Sequence, residues 1–281
     1  MGKKRKKGQK GSRYGLKPLI LFALVVLFLF LLSLIVKTAA LIKVSKFDSS
    51  HSFYLEIDKS YNLSDGFEII GFAPDRGSVS VLDVRAKKGL PPLQSAPQSV
   101  GIPIDARIIF KSRNDYLNFS QNPKIDSRMF YLLSHRNYEA LGITPIDLFR
   151  LWIYTLGVKA DNTAFKRIKL PLAREKLDQL VSLMFADYSL SLKKESIEII
   201  NDTNISGLAA RLARVIINIG ADVVMVSSQT ANSASSISYF GKRTYTVDRL
   251  HALFGYKLIK MPKPGIADII INIGASGIHN F

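Results

Sequence analysis

The sequence predicts a membrane-anchored α/β (α+β) protein, in which a mixed α/β domain precedes a small βαββαβ domain. Three observations support this fold class. An apolar run lies near the amino terminus, β-type and helix-period runs mix over residues 47–190, and residues 195–281 alternate between them in a regular order. With 281 residues, 47% of them hydrophobic, the chain can bury one large core or two modest ones.

The net charge of +17 is concentrated at the amino terminus. Residues 1–46 hold eleven lysines and arginines and no acid, whereas residues 47–281 hold 28 basic and 22 acidic residues. The chain has no cysteine, which excludes disulfides, a thiolate nucleophile and cysteine-bound zinc. The four histidines are scattered. We therefore expect no metal site and no cofactor.

The apolar run at residues 19–36, LILFALVVLFLFLLSLIV, predicts a transmembrane helix. As a helix it is about 27 Å long, close to the thickness of a bilayer's hydrocarbon layer. Lys17 and Lys37 bracket it and can reach the headgroups. The run is longer than a typical signal-peptide core, although Thr38-Ala39-Ala40 resembles a cleavage site, so removal of the segment stays an alternative.

The basic tail, residues 1–18, predicts the orientation of the chain. Eight basic residues precede the span and three follow it closely, so the amino terminus is expected in the cytoplasm and the rest outside it. The protein would be a single-pass protein of the cytoplasmic membrane, with the bilayer as a partner of residues 19–36. The tail also resembles a nucleic-acid or nuclear-import segment, but the apolar span that follows at once favours a topology signal, and we expect no nucleic-acid partner.

Residues 47–190 begin with β-type runs and continue with helices. A Pro-Asp-Arg-Gly turn between two of the runs predicts a hairpin. The predicted strands are 53–57, 67–73, 78–84 and 106–110. The predicted loops are the Pro-rich stretch 87–97 and the polar stretch 112–124.

Three helices are predicted after these strands. The first covers residues 129–142 and ends at Gly142, the second begins at an N-cap Thr144 followed by Pro145, and the third runs from Ala173 to Phe185. The polar stretch 189–196 is the predicted domain boundary.

Residues 195–281 predict a βαββαβ order, which is typical of ferredoxin-like domains. The predicted strands are 197–201, 222–227, 235–240 and 268–273, and the predicted helices are 206–219 and 245–254. In the first helix an apolar stripe predicts the buried face. Arg211, Arg214 and Asn218 lie off that stripe and are expected to face solvent.

The polar turn NDTNIS, residues 201–206, opens that helix. Asn204 or Ser206 can cap it, and Gly207 is the only glycine of the turn. A phosphate-binding loop would need several glycines, so we interpret the turn as scaffold. A weak anionic site next to Arg211 and Arg214 stays open.

The stretch IEIINDTNISGLAARLARVIINIGADVVMV, residues 197–226, resembles the start of the LytR C-terminal domain. The resemblance continues to DIIINIG and covers nearly all of residues 197–274. In the middle domain, FEIIGFAPDRGSVSVLDVRA resembles a hairpin of the LytR-CpsA-Psr family, and SVGIPIDARIIF resembles its Gly-Ile-Pro-Ile-Asp strand entry. The resemblance assigns residues 47–190 to a divergent domain of that family and residues 195–281 to its C-terminal module.

The resemblance implies a role in assembly of cell-wall glycopolymers. Members of the family transfer a polymer from a polyprenyl-pyrophosphate carrier to peptidoglycan, using arginines, acidic residues and a divalent cation. By resemblance Arg85 is the arginine of the family loop, and Arg107, on the strand after Ile-Pro-Ile-Asp, is a second candidate for binding phosphate. Both residues also have an interpretation without a ligand. Arg85 would then belong to a solvated run of charges, and the side chain of Arg107 would simply face water.

The sequence departs from the family pattern in several places. Ala86 stands where the family has Asp, the early Asp-x-Arg strand ending is missing, and so is the late arginine-rich motif. The expected function is therefore non-catalytic binding or scaffolding, with a cell-wall glycan or polyprenyl-linked precursor as partner. The alternative is a divergent phosphotransferase, which would need Mg²⁺. A transcriptional role is not expected, because the sequence contains no helix-turn-helix pattern.

Overall fold

The computed structural model describes residues 16–59, 66–87, 95–229, 234–263 and 265–275. It divides the chain into two compact units, residues 1–44 and residues 45–281. Most of the predicted basic tail (1–15), most of the predicted Pro-rich loop (88–94) and the last six residues lie outside the described ranges.

In the first unit the structure describes one helix, α1 (Leu16–Val44). Its apolar part is Pro18–Val44, which is long enough to cross a membrane and contains an 18-residue window with a mean hydropathy of 3.4. At 1.5 Å per residue these 27 residues extend for about 40 Å. The helix is therefore compatible with a single-pass anchor, and a signal sequence would share its length and composition. The observed helix extends beyond the predicted 19–36 because residues 38–44 include the good helix formers Ala39, Ala40, Leu41 and Lys43 and contain no glycine or proline.

The second unit contains two mixed sheets, which confirms the predicted α/β class. The first sheet has the strand order β5-β4-β1-β2-β3-β6. Its strands are β1 (Phe53–Asp58), β2 (Phe67–Ala73), β3 (Ser78–Ala86), β4 (Ala106–Phe110), β5 (Tyr138–Leu141) and β6 (Thr163–Leu170).

Helices cover both faces of this sheet. They are α2 (Ala96–Ser99), α3 (Arg113–Ser120), α4 (Ile125–Ser134), α5 (Pro145–Leu156), α6 (Arg174–Phe185) and α7 (Tyr188–Lys193). A first core holds residues of α3, α4 and α5 against one face, around Phe72 and Ile108. A second core holds residues of α6 against the other face, around Ile69 and Leu82.

The predicted hairpin of residues 67–84 is confirmed. β2 and β3 pair antiparallel, with Ala73 opposite Ser78. Pro74–Arg76 forms a short 3-10 turn, and Gly77 closes it with φ +58°. The left-handed backbone at this position favours a residue without Cβ, as the sequence pattern indicated.

Two predictions for the middle of the chain are wrong. The predicted helix 129–142 ends at Ser134, because the backbone becomes extended at His135 and the next residues pair with β4 as edge strand β5. The predicted loop 112–124 contains α3, whose N-cap Ser112 accepts a hydrogen bond from the Asp115 amide. Strand β6 and helix α7 were not predicted.

The N-cap of α5 is confirmed, since Thr144 and Asp147 form a complete capping box with Pro145 in the first turn.

The second sheet has five strands in the order β10-β9-β11-β7-β8. Its elements are β7 (Ser196–Asn201), α8 (Leu208–Asn218), β8 (Asp222–Ser228), β9 (Ser236–Phe240), α9 (Tyr245–Phe254), β10 (Lys257–Met261) and β11 (Ile269–Ile273). A third core lies between the sheet and its two helices.

The ferredoxin-like prediction for this sheet is wrong. An additional strand, β10, makes the order βαββαββ. In addition, β7 pairs directly and in parallel with β8, whereas a split βαβ unit places another strand between them. β10 was not predicted because its sequence, with Lys257 and Lys260, does not alternate between apolar and polar residues as a typical strand does. The two sheets lie within the ranges predicted as domains, 47–190 and 195–281, and the division into two domains stays a prediction.

Candidate functional site

Arg85 lies near the end of β3 and is half exposed. Its Nε and Nη2 atoms are both 3.3 Å from Oδ2 of Asp83, and 46% of the side chain is accessible to solvent. The guanidinium is thus oriented by a carboxylate on one side and open on the other. This geometry suits an arginine that binds an anion through its free edge.

Asp83 organises the charges around it. Its carboxylate is buried and accepts hydrogen bonds from Lys59 and from Nε of Arg167, the latter at 2.6 Å. Burial raises the pKa of Asp83, but the hydrogen bond and charge of Lys59, followed by Arg167 and Arg85, outweigh it and hold the pKa below its ordinary value. Asp83 is therefore ionised at neutral pH.

The exposed cations at this place lie on one face of the sheet. In the parallel pair of β3 and β6, Asp83 is opposite Arg167 and Arg85 is opposite Lys169. Arg167 is 54% exposed and Lys169 is also exposed. We call Lys59, Asp83, Arg85, Arg167 and Lys169 the basic edge. It carries four positive charges against one negative charge.

A neighbouring ion pair does not offset this excess. Glu68 on β2 is opposite Asp83, and its Oε1 is 2.8 Å from Nη1 of Arg128 on α4. Each partner balances the charge of the other. The basic edge keeps its surplus of positive charge at the carboxyl ends of β1, β3 and β6, which is the side of a sheet where ligands commonly bind.

Arg107, the other predicted phosphate-binding residue, lies on the opposite face. It is the partner of Glu56 in the β1–β4 pair, whereas the next residue of β1, Ile57, is the partner of Glu68 on the face of the basic edge. The structure therefore does not bring Arg85 and Arg107 together.

The charge of Arg107 is already neutralised. Its Nη2 is 2.7 Å from Oε1 of Glu56, and its Nε is 3.1 Å from Oδ2 of Asp58. Burial raises the pKa of both carboxyl groups, opposed by Arg107. One guanidinium held between two buried carboxyl groups is a poor site for a phosphate.

The turn before α8 is built differently from the sequence-based prediction. Gly207, at φ +76°, is the N-cap, and no side chain caps the helix, so the prediction that Asn204 or Ser206 does so is wrong. Asn201 holds the turn instead: its Nδ2 donates to the Ile205 carbonyl at 2.8 Å, and its Oδ1 accepts from Thr203. The interpretation of the turn as scaffold agrees with this internal bonding.

Two of the three α8 residues expected in solvent are not exposed. Nε of Arg214 is 2.7 Å from Oδ1 of Asp178 on α6, and Asn218 is buried and donates to the Gly101 carbonyl at 3.0 Å. Only Arg211 is exposed. The helix therefore has a second, polar contact face toward the first sheet, which an apolar stripe cannot reveal.

Sequence reasoning missed a buried arginine between the two sheets. Arg249 on α9 is fully buried and binds both carboxylate oxygens of Asp105, at 2.8 and 3.0 Å. Its guanidinium lies 5.2 Å from the centre of the Tyr54 ring, and its Nε is 3.8 Å from Asp187. The only sequence signal is the position of Arg249 beside the buried stripe of α9. We call this cluster the Arg249 junction.

Within the described ranges, no three His, Cys, Asp or Glu residues converge as metal ligands. The carboxyl groups nearest to the candidate arginines are each engaged by Lys or Arg side chains. The described residues therefore do not fit the divalent cation that the phosphotransferase alternative would need.

A scan against protein-family models, a search of curated proteins and a search of solved structures found no match to this chain.

Proposed function

We propose that the chain is a single-pass protein of the bacterial cytoplasmic membrane that binds anionic cell-wall glycopolymer outside the cytoplasm, as a non-catalytic member of the LytR-CpsA-Psr group. The observation that carries the proposal is the basic edge, where Arg85, Arg167 and Lys169 are exposed around a single carboxylate. Phosphodiester groups of a wall polymer or of a polyprenyl-linked precursor provide complementary charge.

The anchor and the orientation belong to the same proposal. The helix α1 has the length and hydropathy of a span, and the lysines and arginines that precede it favour an inside amino terminus. A reporter fused after Phe281 is expected to be active only outside the cytoplasm. Activity of a cytoplasmic reporter at that position would contradict the orientation.

Binding is tested with the full chain in lipid nanodiscs and peptidoglycan that either carries or lacks its phosphodiester polymer. We expect retention on the polymer-bearing material and a loss of affinity of about tenfold or more in the double variant Arg167→Gln, Lys169→Gln. Both side chains are exposed, so the substitutions leave the core intact.

The matched control is Lys166→Gln, on the same strand. Lys166 is exposed and pairs with Leu82, which places it on the opposite face. Lys166→Gln removes one positive charge from this strand, whereas the double variant removes two. An equal loss of binding free energy per charge removed in this control would show that affinity follows total charge, and it would contradict a site at the basic edge.

A divergent phosphotransferase is the second candidate. Arg85 and Arg167 present two open guanidinium groups next to each other, which suits a pyrophosphate. The test is Mg²⁺-dependent hydrolysis or transfer of a polyprenyl-pyrophosphate analogue, with Arg85→Ala as control. Turnover that the variant loses would overturn the non-catalytic proposal, and binding without turnover would support it.

A further inference from the structure

Helix α5 is apolar on two sides. Its inner stripe, Leu148 and Leu151, is buried in the first core. A second stripe points outward and follows helical spacing i, i+3, i+4 and i+7, with no charged residue in it. We call it the outer stripe, and its members are Phe149, Trp152, Ile153 and Leu156.

The outer stripe belongs to a surface patch with three aromatic rings. Trp152 is 5.5 Å from Phe130 of α4 and 5.9 Å from Phe149, between ring centres. Phe130, Phe149, Ile153 and Leu156 are between 48% and 56% exposed. A contiguous apolar patch of this kind on a folded unit indicates an interaction surface.

The start of α5 is fixed to the residues that follow α1. Oδ1 of Asp147 accepts from Oγ of Ser45 at 2.6 Å and from the Phe47 amide at 2.8 Å. Arg150 donates to the same two residues, each at 2.9 Å. Ser45 comes directly after Val44, the last residue of α1.

This connection limits the distance between the outer stripe and the membrane. A helix rises about 1.5 Å per residue, so Leu156 is roughly 14 Å along α5 from Asp147. The whole outer stripe therefore lies near the point where the chain leaves the candidate span. Trp side chains are favoured at the boundary between headgroups and acyl chains, and Trp, Phe and Leu form the apolar faces of helices that lie in it.

We propose that the outer stripe and Phe130 insert into the outer headgroup region of the bilayer and hold residues 45–281 on the membrane surface. The partner is a lipid surface, and the inference rests on the proposed membrane anchor. An uncharged stripe beside the exit point fits the bilayer better than it fits a second copy, since nothing in a copy-to-copy contact requires the patch to lie next to the anchor.

The single tryptophan makes the test direct. Trp152 is the only Trp of the chain, so its emission reports on this patch alone. The full chain is placed in phosphatidylcholine vesicles with or without bromine on the upper acyl chain. We expect bromine to lower the emission roughly twofold, as for a ring at the interface.

Two variants that retain Trp152 complete the experiment. The double variant Phe149→Ser, Ile153→Ser is expected to lose the quenching. The control Leu183→Ser, an equally apolar residue that is 79% exposed on α6, is expected to keep it. Equal losses in both would contradict docking through α5.

The remaining outcomes are distinguishable. A chain that floats with the vesicles but shows no bromine quenching keeps the anchor and overturns the docking. If Trp152 is then also shielded from aqueous iodide, a second copy or another protein covers the patch. A chain that does not float overturns the proposed anchor and, with it, this inference.

Discussion

Asp83 shows how a single residue can serve both stability and binding. It is buried, and its three cationic neighbours lower its pKa, so the folded state holds it ionised. The same carboxylate orients Arg85 and Arg167 while leaving parts of both exposed. The basic edge therefore depends on one buried negative charge.

Replacing Asp83 with Asn is expected to destabilise the protein by about 3–5 kcal/mol at pH 7, because Lys59 is left buried without its counter-ion. The folded pKa of Asp83 is depressed, so its stabilising contribution is present above the unfolded pKa and is lost as the pH falls through the folded pKa. The difference between wild type and variant should thus shrink below about pH 4.

Urea unfolding followed by Trp152 emission at several pH values measures this difference. The exposed turn residue Asp75 provides the control Asp75→Asn, which should change the unfolding free energy by less than about 0.5 kcal/mol. A pH-independent difference for Asp83→Asn would argue against the assigned charge network.

Among the elements, the polar turn before α8 has two possible explanations: its side chains bond within the turn, or one of them caps the helix. Asn201→Ala should cost about 1–3 kcal/mol, because the buried amide bonds to Ile205 and Thr203 inside the turn. Ser206→Ala should change little, since no side chain caps α8. Thermal unfolding of the two variants tests this, and a larger effect at Ser206 than at Asn201 would restore the capping hypothesis.

The elements with strong local signals were predictable from the sequence. The hairpin turn at Gly77, the capping box at Thr144 and Asp147, and the apolar stripe of α8 are all set by nearby residues. Strands β5, β6 and β10 lie at sheet edges, and their residues adopt extended structure because a neighbouring strand pairs with them. Such pairing depends on residues that are distant in sequence, so it cannot be predicted from the local sequence alone.

The candidate site was predictable only in part. Arg85 could be singled out only by the resemblance of the hairpin to a known family, whereas Lys59 and Arg167 are far from it in sequence, and strand pairing brings them together. The separation of Arg85 and Arg107 follows from the register of β1, which fixes the face of each residue.

At the scale of the whole molecule, the Arg249 junction joins the two sheets of the 45–281 unit. Arg249→Met is expected to lower the unfolding free energy by about 3–5 kcal/mol, because Asp105 is left buried without a cation. Arg249→Lys should rescue only part of the loss, since an ammonium group cannot bind both carboxylate oxygens in the same way.

A double-mutant cycle with Asp105→Asn measures the coupling at this junction. We expect the two changes to be strongly non-additive, because each removes the same buried interaction. Additive effects would indicate that the ion pair does not hold the sheets together.

The salt dependence of polymer binding is the sharpest test of a glycopolymer site at the basic edge. If the basic edge contacts phosphodiester groups, the logarithm of the full chain's affinity for the anionic polymer should fall linearly with the logarithm of the salt concentration. Replacing Arg167 and Lys169 with Gln should make that slope smaller by about 1.5 to 2, whereas Lys166→Gln should leave it unchanged. The same slope in the double variant and the wild type would contradict a glycopolymer site at the basic edge.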